Sequence, residues 1–362
     1  MDIAGDGERF AWARHLGLRY PVVQAGMGGG CAGIALATAV SLAGGLGTLG
    51  IMAASEFRTA LAETRRRCHG RPYAVNLLMP FTRAAHVEAC LRERPAVVVR
   101  FYGFGADLVA RLKQAGIAVW QQVGDVEQAR RALADGVDAL IAQGAEAGGH
   151  LAAGTLRRDE LLAALRQLPE TFAVPILAAG GIHDAASARL AIAQGAAGVV
   201  AGTRFLLTPE ADIHQAYKAR LLEARQTVKT SLFSFGWVAP HRVVPNAAVE
   251  RWTDPEADAP AWVLRVNRAL KPGRRLLPLS LSARLVRMQR LRWPFYTPSP
   301  LTSQMPAAAV EVTPLYAGEC IAAISSLRPA AELVEELASG CGCALSPPSE
   351  VTTTPDLRRG AC

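Results

Sequence analysis

The chain has 362 residues, of which 51% are hydrophobic and 19% charged, and its formal charge is +8. This composition excludes wholesale disorder and a fibrous repeat, and the length suits a barrel with an appendage better than one small domain. Seven cysteines are scattered without a CxxC pair. Cys341 and Cys343 stand too close together for a tetrahedral zinc site without other ligands, so free thiols in a reducing cytoplasm are expected, with no metal.

The N-terminus lacks the basic-then-apolar profile of a secretory signal, because Asp2, Asp6 and Glu8 interrupt it. Residues 20–55 carry no charge, but nine glycines between Gly26 and Gly50 break them into short apolar blocks. A spanning helix needs about 20 strongly apolar residues, so this stretch reads as a buried strand–helix–strand unit.

Eight short apolar runs follow one another: PVVQAG (21–26), LGTLGI (46–51), YAVNLL (73–78), AVVVRF (96–101), IAVWQQ (117–122), DALIAQG (138–144), VPILAAGG (174–181) and GVVAGT (198–203). Amphipathic stretches such as Val126 to Asp135 and Ala185 to Gln194 separate them. Continuous apolar strands alternating with helices predict a parallel sheet covered on both faces. Eight such units predict an α/β fold, a (β/α)8 TIM barrel. A doubly wound sheet is the alternative, but it usually has fewer units and a GxGxxG first turn, which QAGMGGG does not supply in its usual context.

After residue 205 the rhythm stops. Residues 1–207 and 308–340 are expected to form the barrel, with a closing helix around Ala330 to Ala338. Residues 208–307 read as a mostly helical, basic domain on the substrate side, and 341–362 as a disordered tail. Between Leu264 and Trp293 lie nine Lys or Arg residues (Arg265, Arg268, Lys271, Arg274, Arg275, Arg284, Arg287, Arg290, Arg292) and no acid. Such a segment suits nucleic acid, a membrane surface or an acidic partner, or is a solvated face with arginine stems over apolar surface. No nucleic-acid module or stacking platform accompanies it. An acidic carrier protein is the macromolecular partner retained, with neither nucleic acid nor membrane expected.

Ligands of a parallel barrel bind at the C-terminal strand ends, and glycines gather there: Gly26 to Gly30, Gly148 and Gly149, Gly180 and Gly181, and Gly202. AAGGI and AGTRF present backbone N–H groups at helix starts, suited to a phosphate, although tight turns alone would also use such glycines. Gln24, Asn76, Gln121, Gln122 and Gln143 sit in or at the ends of apolar runs. Each amide needs partners, and a ring edge bearing donors and acceptors, such as a flavin's, would supply them. There is no GxSxG, no HExxH and no carboxylate pair at a strand end, so redox chemistry carried by a cofactor fits better than hydrolysis. His150 closes the AEAGGH stretch on a glycine hinge, where Glu146 is the only acid and reads as a brace for the loop. His183 reads as a helix cap. His15, His69, His86, His214 and His241 have no supporting context.

The motifs PVVQAGMGGG, AVNLL, GVDALIAQGAEAGGH, PILAAGGI and GAAGVVAGTRFL, in this order, resemble the nitronate monooxygenase family, once called 2-nitropropane dioxygenases, which are FMN-dependent barrels. The resemblance continues to PLYAGECIAAISSLRPAAELVEEL (314–337), nearly the whole chain. Carried over by position, it implies FMN contacts from Ala25, Gly26, Met27, Asn76, Gln143, Gly148, Gly181, Val200, Ala201, Gly202 and Thr203. It implies that His150 lies beside the flavin as catalytic base or substrate-steering group. The implied reaction is oxidation of an alkyl nitronate or nitroalkane by O2 to a carbonyl product and nitrite. The alternatives are NAD(P)H-dependent enoyl-acyl-carrier-protein or quinone reduction in the same family, and a barrel that binds FMN or phosphate without turnover. Two departures stand out: AGM (25–27) where the family often has APM, and Leu151–Ala152 where it commonly has Arg–Gly, which removes a cation expected near the mouth.

Overall fold

Each of the eight apolar runs forms a parallel strand in the computed structural model, which describes residues 8–256, 258–271 and 284–342. The strands are β1 (Val22–Gln24), β2 (Gly47–Leu49), β3 (Tyr73–Leu78), β4 (Val97–Phe101), β5 (Ala118–Val123) and β6 (Ala139–Gln143), then β8 (Ile176–Ala179) and β9 (Val199–Ala201). A two-residue strand, β7 (Gly149–His150), intervenes outside the barrel. The ladder order is β1-β9-β8-β6-β5-β4-β3-β2, and a parallel bridge from Val23 to Leu46 closes the ring. The strands bury almost every side chain, as uninterrupted Val, Ile, Leu and Ala require when both faces are covered. Register pairs Gln24 with Ala201, Ala179 with Val200, and Gln143 with Ala179, so these strand-end residues share one rim.

The helices are α1 (Ala11–His15), α2 (Ile34–Leu42), α3 (Ala54–Arg67), α4 (Ala84–Glu93), α5 (Ala106–Gln114), α6 (Val126–Ala134), α7 (Arg158–Leu165), α8 (Ala185–Ala193) and the single turn α9 (Thr203–Leu206). Asp125 and Asp184 cap α6 and α8 by accepting from the backbone N–H groups of Gln128 and Ser187. Trp12, on α1, donates its indole N–H to the Ala197 carbonyl and meets Trp120 edge-on at 5.2 Å.

The segment expected to be mostly helical contributes α10 (Gln215–Glu223), α11 (Ala247–Trp252) and α12 (Ala261–Ala269), but also strands β10 (Val228–Thr230) and β11 (His241–Val244). With β12 (Leu315–Tyr316) and β7 these form a second, antiparallel sheet. Its core is separate from the barrel's and includes Leu207, Tyr217, Phe233, Val243, Tyr296 and Leu315. Strands of three or four residues are too short to show a period, which is why the sequence did not reveal them.

The closing helix α13 (Ala330–Cys341) packs on α8, α2 and β1. Gly340 permits this approach, since a Cβ there would lie 2.2 Å from the Ala185 carbonyl oxygen. The helix runs past Ala338, and Gly342, at φ 72°, ends it in the left-handed conformation. Residues 343–362 of the expected tail, and Arg274 and Arg275 of the basic segment, lie outside the described residues. Among the described residues no helix is long and apolar enough to cross a membrane.

Candidate functional site

A cavity of about 610 Å³ opens between the C-terminal rim of the barrel and the antiparallel sheet, a size ordinary for a cofactor with substrate. Ala25, Gly26, Met27, Asn76, Gln143, Gly148, His150, Gly181, Val200, Gly202 and Thr203 all line it. Ala201 does not: it is 1% exposed in the barrel core, and its carbonyl accepts from Ala25 N–H. Side chains alternate along a strand, so Val200 and Ala201 face opposite ways.

The rim glycines divide into two kinds. A Cβ on Gly202 would meet only Ala25 Cβ, at 3.5 Å, so its missing side chain leaves room inside the cavity. A Cβ on Gly148 would instead lie 2.5 Å from the Ala317 carbonyl carbon, and one on Gly26 would lie 2.3 Å from Asn76 Cβ. Those two glycines serve chain packing. Gly180 and Gly181 take φ of 110° and 70°, a turn that favours glycine.

His150 is fixed from several sides. β7 pairs antiparallel with β11, setting His150 opposite His241 and Gly149 opposite Arg242. Gln143 spans the loop: its amide N–H donates to the His150 carbonyl at 2.9 Å and its oxygen accepts from Ala152 N–H at 2.8 Å. The Tyr102 hydroxyl donates to the Leu151 carbonyl at 2.8 Å. Leu151 itself is 1% exposed and lies outside the lining, an apolar side chain packed into the loop where the resemblance would place an arginine.

The His150 ring lies 4.5 Å from Trp237, 5.4 Å from Tyr316 and 5.2 Å from His241, centre to centre. Trp237 in turn meets Phe81 and Tyr102 edge-on, at 5.0 and 5.2 Å. Tyr102 holds a positive φ of 54°, a strained backbone for a bulky residue, and stacks on Phe101. Sequence reasoning passed over Trp237, Tyr316, Tyr102 and His241, because only long-range pairing brings them to His150.

His241 is fully buried. Its Nδ1 donates to the Ala239 carbonyl at 3.0 Å and its Nε2 accepts from Phe233 N–H at 3.4 Å, a pattern only the neutral ring satisfies. Burial pushes its pKa down to about 4. Two thiols, Cys31 and Cys320, also line the cavity. Burial raises both, Cys320 to about 12, so they stay protonated and are poor nucleophiles. Among the described lining residues there is no Lys or Arg, and the acids are Glu56 and Asp212.

Glu146 is outside the lining. Its buried carboxylate accepts from Arg158 N–H at 3.2 Å, while the Arg158 guanidinium donates to the Gly180 carbonyl at 2.8 Å. Arg242 donates to the Ala145 carbonyl and pairs with Glu319 at 3.1 Å. These contacts tie the loop before His150 to the glycine turn after β8. His183 is not the cap of α8: that role falls to Asp184, and the His183 ring instead sits 3.0 Å from the Gly181 carbonyl. His86 and His214 do serve at helix starts, each accepting a backbone N–H.

The residues present fit FMN. The open space at Gly202 leaves a cradle that suits a phosphate beside the backbone of Gly181 and Thr203, and the side chains of Asn76, Gln122 and Gln143 line the same cavity with amides that suit a ring edge.

The family model described as nitronate monooxygenase matches residues 11–92 and 81–340. The chain is 36% identical over 241 residues to a (3aS,4S,5R,7aS)-5-hydroxy-7a-methyl-1-oxo-octahydro-1H-indene-4-carboxyl-CoA dehydrogenase of Mycobacterium tuberculosis, covering 65% of this chain and 66% of that relative. It thus spans just under two thirds of that relative's length. A nitronate monooxygenase of Paraburkholderia phytofirmans is 33% identical over 296 residues, covering 68% of this chain and 79% of the relative. Among solved structures, a nitroalkane oxidase from Streptomyces ansochromogenes aligns with a TM-score of 0.72 and 27% identity, covering 91% of this chain and 98% of that one. FabK from Thermotoga maritima, at 24% identity and a TM-score of 0.69 over 94% of this chain and 97% of that one, shares the fold.

Proposed function

This chain belongs to the nitronate monooxygenase family; from that premise we propose a flavin-dependent oxidoreductase, an FMN enzyme acting beside the carbonyl of a bulky, apolar acyl thioester. The observation that carries this reading is the wall around His150. Phe81, Trp237, Tyr316 and Phe101 line the cavity with it, and no described lining residue is Lys or Arg. Aromatic side chains reward a large apolar substrate by area buried and by their faces. A small anion would find little there besides an imidazole.

FMN, when bound, supplies the two-electron acceptor or donor. Gly181, Gly202 and Thr203 would hold its phosphate end, and Asn76 and Gln143 its ring edge. His150 handles the proton on the carbon next to the carbonyl, taking it when the bond is oxidised and returning it when reduced. An imidazole can serve as base in one direction and as acid in the other. Trp237 and Tyr316 fix the plane of the ring, while Gln143 and Tyr102 fix the backbone on either side. The carboxyl-CoA substrate named for the Mycobacterium tuberculosis relative supports the thioester class.

A second reading, oxidation of an alkyl nitronate by O2 to a carbonyl product and nitrite, is favoured by the Paraburkholderia relative's name and length of match. There His150, protonated, would hold a nitronate oxygen.

Anaerobic mixing separates the readings. The FMN-loaded protein should lose its flavin colour with a polycyclic acyl-CoA, or with NADH or NADPH and regain it with an enoyl-CoA. Bleaching by an alkyl nitronate alone would install the second reading. A yellow protein inert to every donor would leave a binding barrel without turnover.

A further inference from the structure

Nine large apolar side chains stand exposed among the described residues, and six of them fall between Trp262 and Trp293: Trp262, Val266, Leu270, Met288, Leu291 and Trp293. Met288 is 72% exposed and Trp293 56%. On α12, Val263 and Asn267 are buried while Trp262, Val266 and Leu270, spaced by four, form a ridge beside that buried face. Trp262 meets Phe295 edge-on at 5.9 Å, and the Trp252 indole N–H donates to the Leu291 carbonyl at 2.6 Å, so the two halves of the patch adjoin.

The same stretch is cationic. Arg265, Arg268, Lys271, Arg284, Arg287, Arg290 and Arg292 are all exposed, and among the described residues none of them pairs with a carboxylate. Between Asp258 and Glu311 the sequence holds no acidic residue.

We propose that this face seats the protein on an anionic lipid surface, with the indoles and Met288 entering the headgroup region and the arginines meeting lipid phosphates. A cationic rim beside exposed aromatic and aliphatic groups is the pattern of interfacial binding, and arginine stems can lie along the apolar boundary while their heads reach phosphate. Tryptophan favours that boundary because its ring is apolar and its N–H is polar. A second copy is a poor occupant, since two acid-free cationic faces repel. The seat is peripheral, as no described helix is built to span.

The position of this face has a use. Pro298 lies five positions after Trp293, at most about 18 Å of chain, and Pro298, Ser299 and Pro300 line the cavity. The lipid-facing patch therefore continues into the cavity wall. From sequence a membrane surface was one partner this segment suits but not the one retained, because a sequence does not show that these apolar residues lie exposed together. The inference stands whichever reaction the cavity performs.

The test is co-sedimentation of the full FMN-loaded protein with vesicles of phosphatidylcholine alone and of phosphatidylcholine mixed with phosphatidylglycerol. Binding to the mixed vesicles, weak on the neutral ones and falling with salt, is expected. Arg287→Ser and Arg290→Ser should each weaken it about fivefold, and Trp262→Ser with Trp293→Ser at least about tenfold. Retained flavin colour and circular dichroism show that the variants fold. No binding to anionic vesicles at low salt, or equal binding to neutral ones, overturns the proposal. So does a dimer that the tryptophan pair dissolves in ultracentrifugation, or arginine-dependent capture of a purified acidic carrier protein without lipid binding.

Discussion

The imidazoles of His150 and His241 lie 5.2 Å apart, centre to centre, because the two residues are register partners across β7 and β11. One lines the cavity and the other is sealed behind it with both ring nitrogens engaged. A proton added to His241 would have no acceptor and would place a charge in the core.

His241 should therefore make the fold acid-sensitive. Its folded pKa, about 4, is below the unfolded 6.5, so the unfolded state binds the proton more readily. The stability this neutral ring gives is complete above about pH 6.5 and falls by about 3 kcal/mol as pH drops toward 4. In thermal melts, His241→Phe should flatten that decline. At pH 7 it should cost about 1–3 kcal/mol by orphaning the Phe233 N–H and the Ala239 carbonyl. An unchanged slope would show that another group controls the acid loss.

His150→Asn should keep the flavin and lose about 10²- to 10⁴-fold in turnover, the range for removing a general acid–base group. The flavin absorption band measures the first and steady-state rates the second. Unaltered turnover would reduce His150 to a loop residue.

Two glycines should respond in opposite ways. Gly202→Val meets only Ala25 inside the cavity, so the purified protein should be folded but colourless. Gly148→Ala drives a Cβ against the Ala317–Gly318 backbone and should lower the melting temperature, with flavin loss following unfolding. The ratio of bound flavin to folded protein distinguishes them.

Glu146→Gln should retain most activity, since an amide oxygen still accepts from Arg158 N–H. Glu146→Ala should cost about 1–3 kcal/mol of stability by leaving that buried donor unpaired. Loss of all turnover in the Gln variant at unchanged stability would contradict a bracing role.

The barrel was legible because a strand buried on both faces must be apolar along its whole length, and eight such runs, each followed by a helix, leave few architectures. The rim was legible for a related reason: Gly181 and Gly202 sit where a strand gives way to a turn. Ala201 shows the limit, since a consecutive stretch was expected to face the cofactor although a strand shows alternate residues to each side. The aromatic wall was not legible. Trp237 precedes, and His241 begins, a four-residue strand that meets the site through the two residues Gly149 and His150, and no local pattern marks a pairing that short. The His183 expectation failed because Asp184 was the better acceptor for the free N–H groups of α8.

One consequence of the closing helix concerns synthesis. A single bridge, Val23 to Leu46, joins β1 to β2, and α13 is the element that packs across α2, α8 and β1. It leaves the ribosome only after every other described element. Until then the faces of α2 and α8 that it covers are open to water and to other chains, and the β1–β2 seam lacks its outer support. The barrel therefore completes its shell only once α13 has emerged, and the interval before α13 docks is when the nascent barrel is most exposed to aggregation.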